Sequence, residues 1–218
     1  MTFVTPFRSE VAFASLVAYC PRGDGTEVRK SQTLMRQLKG NRMVRTESAA
    51  AFVSRRLREM APEFVTSFLG PDVALVPVPR SSLQKRGALW PAFEIANALR
   101  AEGFGAQVVP CLRRHTAVGK AALAAPRDRP RPRTHFESLD LVAPLDLPVS
   151  ITLIDDVITR GAQMLGAAWR IWSARPDVAV RGFAVMRTIS RPEDFSSIAA
   201  PCAGQVLLGR DEECRRTP

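Results

Sequence analysis

ITLIDDVITRGAQ, Ile151 to Gln163, passes from a strand pattern to a helix pattern through two acids and a glycine turn. Ser150 to Ile154 is an unbroken β-branched and aliphatic run of the kind found in strands buried on both faces. Ala162 to Ala174 is predicted to be a helix that stops before Pro176. Ligands of open parallel sheets sit outside the carboxyl ends of the strands, so the chemistry is expected just after Ile154. There Asp155 and Asp156 stand side by side, which is costly at a buried strand end unless they face solvent, a cation or hydroxyl groups. The helix behind them offers free N–H groups and the positive end of its dipole, a ready place for a phosphate. Thr159 adds a hydroxyl, and Gly161 allows close backbone approach. An acid pair beside a phosphate cradle describes a ligand with a phosphate on one side and a diol or a Mg²⁺ ion on the other, a phosphorylated ribose. The competing reading is a turn in which a carboxylate caps the following helix.

Outward from this stretch the same alternation recurs. Val73 to Val76 reads as a second buried strand, ended by Pro77 and Pro79. Pro91 suits the first turn of a helix carrying Phe93, Ile95, Ala96 and Leu99, with Gly103 as its stop, and Gln107 to Leu112 supplies another strand. Val178 to Val185 is a fourth strand, and Gln205 to Leu208 is a candidate fifth. Strands and helices in this order imply an α/β fold, a parallel sheet with helices on both faces and right-handed crossovers. Before Val73 the pattern is helical: Thr26 to Lys39 carries Val28, Leu34, Met35 and Leu38 on one face, and Glu47 to Met60 carries Ala49, Phe52, Val53, Leu57 and Met60. Residues 1–70 are therefore expected to form a mainly helical N-terminal hood on a core of residues 71–218. Lys39 reads first as a solvated helix residue.

The 218 residues fit one domain with a lobe, since single cores hold up to roughly 250 residues. Apolar residues make up 46% and charged residues 24%, enough to bury a sizeable core. The net charge of +10 favours anionic partners. Between Arg80 and His135 there are eleven Lys and Arg against three acids, so this segment holds most of that surplus. Within it, Cys111 to Phe136 has abundant Arg and Pro and no sustained period, which predicts a long mobile loop at about 113–135, a lid or a solvated insert. Gly119-Lys120-Ala121 is not a P-loop, because position 114 is Arg and position 121 lacks a hydroxyl.

Four cysteines without a CxxC pair exclude a zinc ribbon and read as reduced thiols. Only His115 and His135 exist, both expected at the surface, so a three-histidine metal site is impossible. The longest uncharged stretch, Phe195 to Gly209, is 15 residues broken by Pro201, too short to span a bilayer. The first 20 residues lack a clean basic start, so the chain is expected in the cytoplasm, without membrane contact. Trp90, Trp169 and Trp172 fall at helical positions that suit a core or an interface, which allows a homodimer.

ITLIDDVITRGAQ resembles the phosphoribosyl pyrophosphate (PRPP) loop of type I phosphoribosyltransferases. Val76-Pro-Val-Pro-Arg80, then Lys85-Arg86-Gly87, a helix and an Arg-rich loop resemble the competence protein F-like branch of that family, as does LMRQLKGNR, Leu34 to Arg42. The similarity covers roughly Thr33 to Thr188. It departs from the branch in lacking the N-terminal zinc ribbon, in Gln163 at the usual threonine and in Arg160 where threonine is common. The resemblance implies transfer of the 5-phosphoribosyl group to a base or amine, with Mg²⁺ as cofactor and pyrophosphate released. It assigns Asp155 and Asp156 to the ribose hydroxyls and the oxocarbenium-like transition state, and as possible Mg²⁺ ligands. It assigns Val157, Ile158, Thr159, Arg160, Gly161 and Ala162 to the 5′-phosphate, and Arg80 and Ser81 to pyrophosphate. Arg113, Arg114 and Lys120 belong to the loop that would close over the leaving group. The alternative is a non-catalytic PRPP-binding or competence-type protein acting with single-stranded DNA through the basic segment. A phosphoacceptor domain is a third, weaker reading, since such acid pairs act with a distant third acid and a lysine.

Overall fold

The computed structural model describes residues 7–119, 129–142 and 148–218. Eleven strands and six α-helices are described. They are β1 (Glu10–Tyr19), α1 (Thr26–Gly40), β2 (Met43–Val44), β3 (Glu47–Ser48), α2 (Ala49–Met60), α3 (Val65–Leu69), β4 (Ala74–Pro77), α4 (Pro91–Ala101), β5 (Gln107–Val108), β6 (Leu112–Arg114), α5 (Pro132–Glu137), β7 (Leu139–Leu141), β8 (Ser150–Ile158), α6 (Ala162–Ala174), β9 (Ala179–Thr188), β10 (Ala199–Leu208) and β11 (Cys214–Thr217).

Seven strands form one sheet in the order β11-β10-β1-β9-β8-β4-β5. Neighbours from β1 to β5 are parallel, and β10 runs antiparallel to both β1 and β11. Helices cover both faces because successive strand residues point to opposite sides. Ile151 and Leu153 of β8 pack with Leu165, Trp169 and Trp172 of α6. Ile154 joins Leu34 and Leu38 of α1, Val53 and Leu57 of α2, and Ile95 and Leu99 of α4 on the other face. This is an α/β protein with a mostly parallel sheet flanked by helices.

Two expectations about the sheet need revision. The N-terminal 70 residues are not only a helical hood, because β1 lies inside the sheet between β10 and β9. Its segment, EVAFASLVAY, is nearly continuous in apolar residues with no helical period, as a strand buried on both faces requires. The strand expected from Gln107 to Leu112 divides into β5 and β6, since Pro110 has no N–H to continue a ladder.

The segment expected to be a loop at about 113–135 begins inside a ribbon, β6 with β7, and ends in α5. Helix α5 docks on α6 at Gly166, where a Cβ would lie 2.5 Å from the Pro132 carbonyl oxygen and 2.7 Å from His135 Cβ. His135 is therefore buried at 4% exposure rather than on the surface. Burial and the nearby Arg114 charge push its imidazole down to about 3, so it is neutral at physiological pH. Cys20, Cys111 and Cys214 are buried and Cys202 is half-buried, all as free thiols. Burial raises Cys111 to about 11 and Cys214 to about 12, which keeps both as unreactive thiols.

Candidate functional site

The carboxyl end of β8 gathers most of the chemistry. Register pairs Ile154 with Pro77, the last residue of β4, and Asp155 with Ala184 of β9. The Val78 amide donates to the Ile154 carbonyl at 2.9 Å, which carries the chain after β4 alongside the acids. Trp90 at the start of α4 donates from Nε1 to the Val78 carbonyl at 2.9 Å and fixes the far end of the Arg80 turn. Arg80 Nη1 in turn donates to the Leu89 carbonyl at 2.9 Å.

Alternation along β8 sends the two acids to opposite faces. Asp155 follows Leu153 toward α6, where Gln163 Nε2 donates to its Oδ2 at 3.4 Å. The Asp156 amide donates to Asp155 Oδ1 at 2.9 Å. Asp156 follows Ile154 toward α1, where Lys39 Nζ stands 3.6 Å from its Oδ2. Asp155 is 9% exposed, and its carboxyl is held well above the ordinary carboxylate range, first by burial and then by the charge of Asp156, with Lys39 partly opposing. A cation or a set of hydroxyl donors at this strand end would favour the charged form of Asp155.

The turn after β8 is shorter than expected. Val157 and Ile158 lie in the ladder opposite Met186 and Arg187, so they are strand residues, and the candidate cradle reduces to Thr159, Arg160, Gly161 and Ala162. Thr159 is exposed and shares a 3.1 Å hydrogen bond between its Oγ1 and that of Thr188. Arg160 Nη1 lies 2.6 Å from Glu213 Oε2. Gly161 is the N-cap of α6 at φ 91 and has no side chain with which to cap the helix, so its first N–H groups are open to a ligand or water. A Cβ at position 161 would lie 2.6 Å from Val206 Cγ1. Glycine is thus demanded twice, by backbone conformation and by the close approach of β10.

Of the residues expected to hold pyrophosphate, Arg80 is exposed, and the Ser81 carbonyl accepts from the Val118 amide at 2.8 Å. Arg113 and Arg114 separate completely. Arg113 is exposed and pairs with Asp140 at 3.2 Å. Arg114 is a fixed interior residue at 4% exposure, not part of a mobile loop. Its Nε donates to the Arg80 carbonyl at 2.5 Å and its Nη1 to Ser138 Oγ, while Nη2 has no partner among the described residues. Burial lowers its guanidinium to about 10 against the opposing pull of Asp155, so it stays charged at neutral pH. Lys120 lies outside the described residues.

Three contacts near the site were not foreseen by sequence reasoning: Gln163 as a partner of Asp155, Lys39 as the counter-charge of Asp156, and Arg114, expected in a closing loop, buried beneath Arg80. Lys39 had a signal, its place at the end of an amphipathic helix whose apolar face is Leu34 and Leu38. Arg114 had none, because its burial depends on a ribbon partner 25 residues and more downstream in β7.

Among the described residues no three His, Cys, Asp or Glu side chains cluster to hold a metal, and no helix is long and apolar enough to cross a membrane. The protein's own donors at the strand end are two carboxylates, hard oxygen ligands that suit a cation arriving with most of its shell already supplied by its ligand. No protein-family model matches the chain, and no curated protein matches it.

Proposed function

We propose that this chain is a PRPP-dependent phosphoribosyltransferase of the type I, competence protein F-like kind. The observation that carries the reading is the acid pair Asp155–Asp156 near the carboxyl end of a central parallel strand, followed after a short turn by a helix N-terminus whose N-cap, Gly161, has no side chain. The acids would accept hydrogen bonds from the ribose hydroxyls and stabilise positive charge growing on the sugar ring. Thr159 to Ala162 would receive the 5′-phosphate through backbone N–H groups. Arg80 and Ser81, on the turn beside the acids, would receive pyrophosphate. In the reaction the acceptor nitrogen bonds to C1 of the sugar, the C1–oxygen bond to pyrophosphate breaks, pyrophosphate leaves with the electron pair, and the acceptor's proton passes to solvent. Mg²⁺ would be held by the pyrophosphate and ribose oxygens, with Asp155 and Asp156 as the protein's contribution, and would supply charge neutralisation of the leaving group.

The test is direct. At about 100 times its dissociation constant, PRPP with Mg²⁺ adds about 2.7 kcal/mol, or about 5–10 °C in melting temperature for a chain of this size. Ribose 5-phosphate is expected to give a smaller rise, and pyrophosphate release with a panel of bases and amines identifies the acceptor. No melting shift with saturating PRPP and Mg²⁺, together with no heat of binding by calorimetry, would sink the proposal.

Three described arginines of the basic segment already have carboxylate partners, which favours this reading over the nucleic-acid one at those positions. Arg113 pairs with Asp140, Arg131 Nη1 lies 3.6 Å from Glu212 Oε2, and Arg133 Nε lies 4.0 Å from Glu212 Oε1. Replacing Arg113, Arg131 and Arg133 with glutamine is therefore expected to leave single-stranded DNA affinity nearly unchanged from low to high salt. A nucleic-acid surface would instead lose about 0.7 of salt slope for each phosphate contact removed. Submicromolar DNA binding that collapses in this variant, with no pyrophosphate released by the wild type, would replace the enzyme with the DNA-binding alternative.

A further inference from the structure

Arg216 sits on β11, the last strand described, far from β8 in the order of the sheet, yet its guanidinium touches the end of β8. Its Nη1 donates to the carbonyl of Ile158 at 3.0 Å, and its Nη2 donates to the carbonyl of Thr188 at 2.7 Å. Ile158 is the last residue of β8 and Thr188 the last of β9, so one side chain joins the two strand ends where the Thr159–Gly161 turn departs. The same β10–β11 hairpin makes two more contacts with that turn, Glu213 with Arg160 at 2.6 Å and Val206 against Gly161. Below the guanidinium lies the Phe13 ring of β1, with 5.7 Å from Cζ to the ring centroid. A planar fork with fixed N–H directions suits this double contact, and charged donors bind carbonyls more strongly than neutral ones.

We infer that Arg216 is a positioning residue for the candidate phosphate cradle: it holds the ends of β8 and β9 together and so sets the entry of the Thr159–Gly161 turn into α6. The inference rests on the proposed phosphoribosyl site for its ligand but not for its geometry. The side chain does not extend the sheet ladder, since among the described strands β11 pairs only with β10. Its removal is thus expected to loosen one turn rather than the whole sheet. Burial lowers its guanidinium to about 10, with the charge of Arg187 acting in the same direction, and it stays protonated at neutral pH.

The experiment compares wild type with Arg216→Met, Arg216→Lys and, as a control on the same strand, the exposed Arg215→Met. Carbonyl ¹³C resonances of Ile158 and Thr188 are read without ligand, and affinities for ribose 5-phosphate and for inorganic pyrophosphate are read with Mg²⁺. In Arg216→Met both carbonyl resonances are expected to move and ribose 5-phosphate to bind about tenfold more weakly, with pyrophosphate unchanged. Arg216→Lys is expected to recover part of that affinity, and Arg215→Met to change nothing. Unmoved carbonyl resonances, or an equal loss for both ligands, would overturn the inference, because equal loss is what a general weakening of the fold produces. If Arg216→Met fails to fold, Arg216→Lys decides between the same two outcomes. If wild type binds neither ribose 5-phosphate nor PRPP while both carbonyls move in the variants, the proposed function falls and the positioning role of Arg216 stands.

Discussion

Asp155→Asn is expected to make the ligand-free protein more stable at neutral pH while weakening PRPP binding about 100-fold. Both effects come from the same burial. The folded protein holds the Asp155 carboxyl above its ordinary range, so folding retains a proton that the unfolded chain releases near pH 4. Stability from this group is complete below the unfolded value and is lost as pH rises through the raised one. Asparagine carries no such loss, and the gain at pH 8 is expected to be about 1–2 kcal/mol, the size of other exchanges of site strain for stability. Wild type and variant should converge toward pH 4, and the gap should open as pH rises. The replacement fits locally, because the Asn oxygen can accept from the Asp156 amide and Gln163 can turn its carbonyl to the new NH₂. The binding loss follows from removing a charged acceptor for sugar hydroxyls, about 1.5–3 kcal/mol for each hydrogen bond. Asp156→Asn is expected to lose affinity comparably and to free Lys39 from its partner at 3.6 Å. Denaturant melts between pH 4 and 8 and calorimetry with PRPP and Mg²⁺ check both halves. Wild-type affinity in the two variants would remove the acids from the site, and a stability gap that does not change with pH would contradict the protonation account.

Gly161→Ala is expected to cost about 3 kcal/mol of stability and to remove ribose 5-phosphate binding with it. At φ 91 a side chain is strained by about 1–3 kcal/mol, and crowding a packed interior adds about as much. The crowding has one named partner, since the new Cβ would meet the fully buried Val206. Val206→Ala in the same chain should therefore recover the crowding part and leave the backbone part, a coupling of about 1–2 kcal/mol between the two positions. Urea melts of the two single variants and the double variant measure it. A Gly161→Ala protein that melts within about 0.5 kcal/mol of wild type would mean that the turn is not held against β10 as described.

The site was legible to the depth of its local pattern. Asp155 and Asp156 stood out because a short β-branched run ended in two acids, and Gly161 because a turn with a helix behind it needs a residue free of Cβ. The ladder ran further than the run of apolar residues suggested, to Ile158, because β9 continues alongside and supplies partners that Val157 and Ile158 need. The same kind of long-range pairing concealed β1. Its apolar residues carry no period that distinguishes a central strand from any other apolar stretch, and only its ladders to β9 and β10 define it.

The amino-acid sequence by itself determined that this chain builds an α/β unit, with a strand at Ser150, a helix at Ala162 and two carboxylates between them. Those features depend on side-chain volume, branching and backbone freedom within a few residues of one another. Tertiary structure alone decided that Asp155 turns to Gln163 and Asp156 to Lys39, that Arg114 lies buried under Arg80, and that Arg216 clasps the ends of β8 and β9. Apart from Gln163, the partners in those contacts lie tens of residues apart. Their meeting depends on strand order and on which face each helix covers, and local residue patterns carry neither.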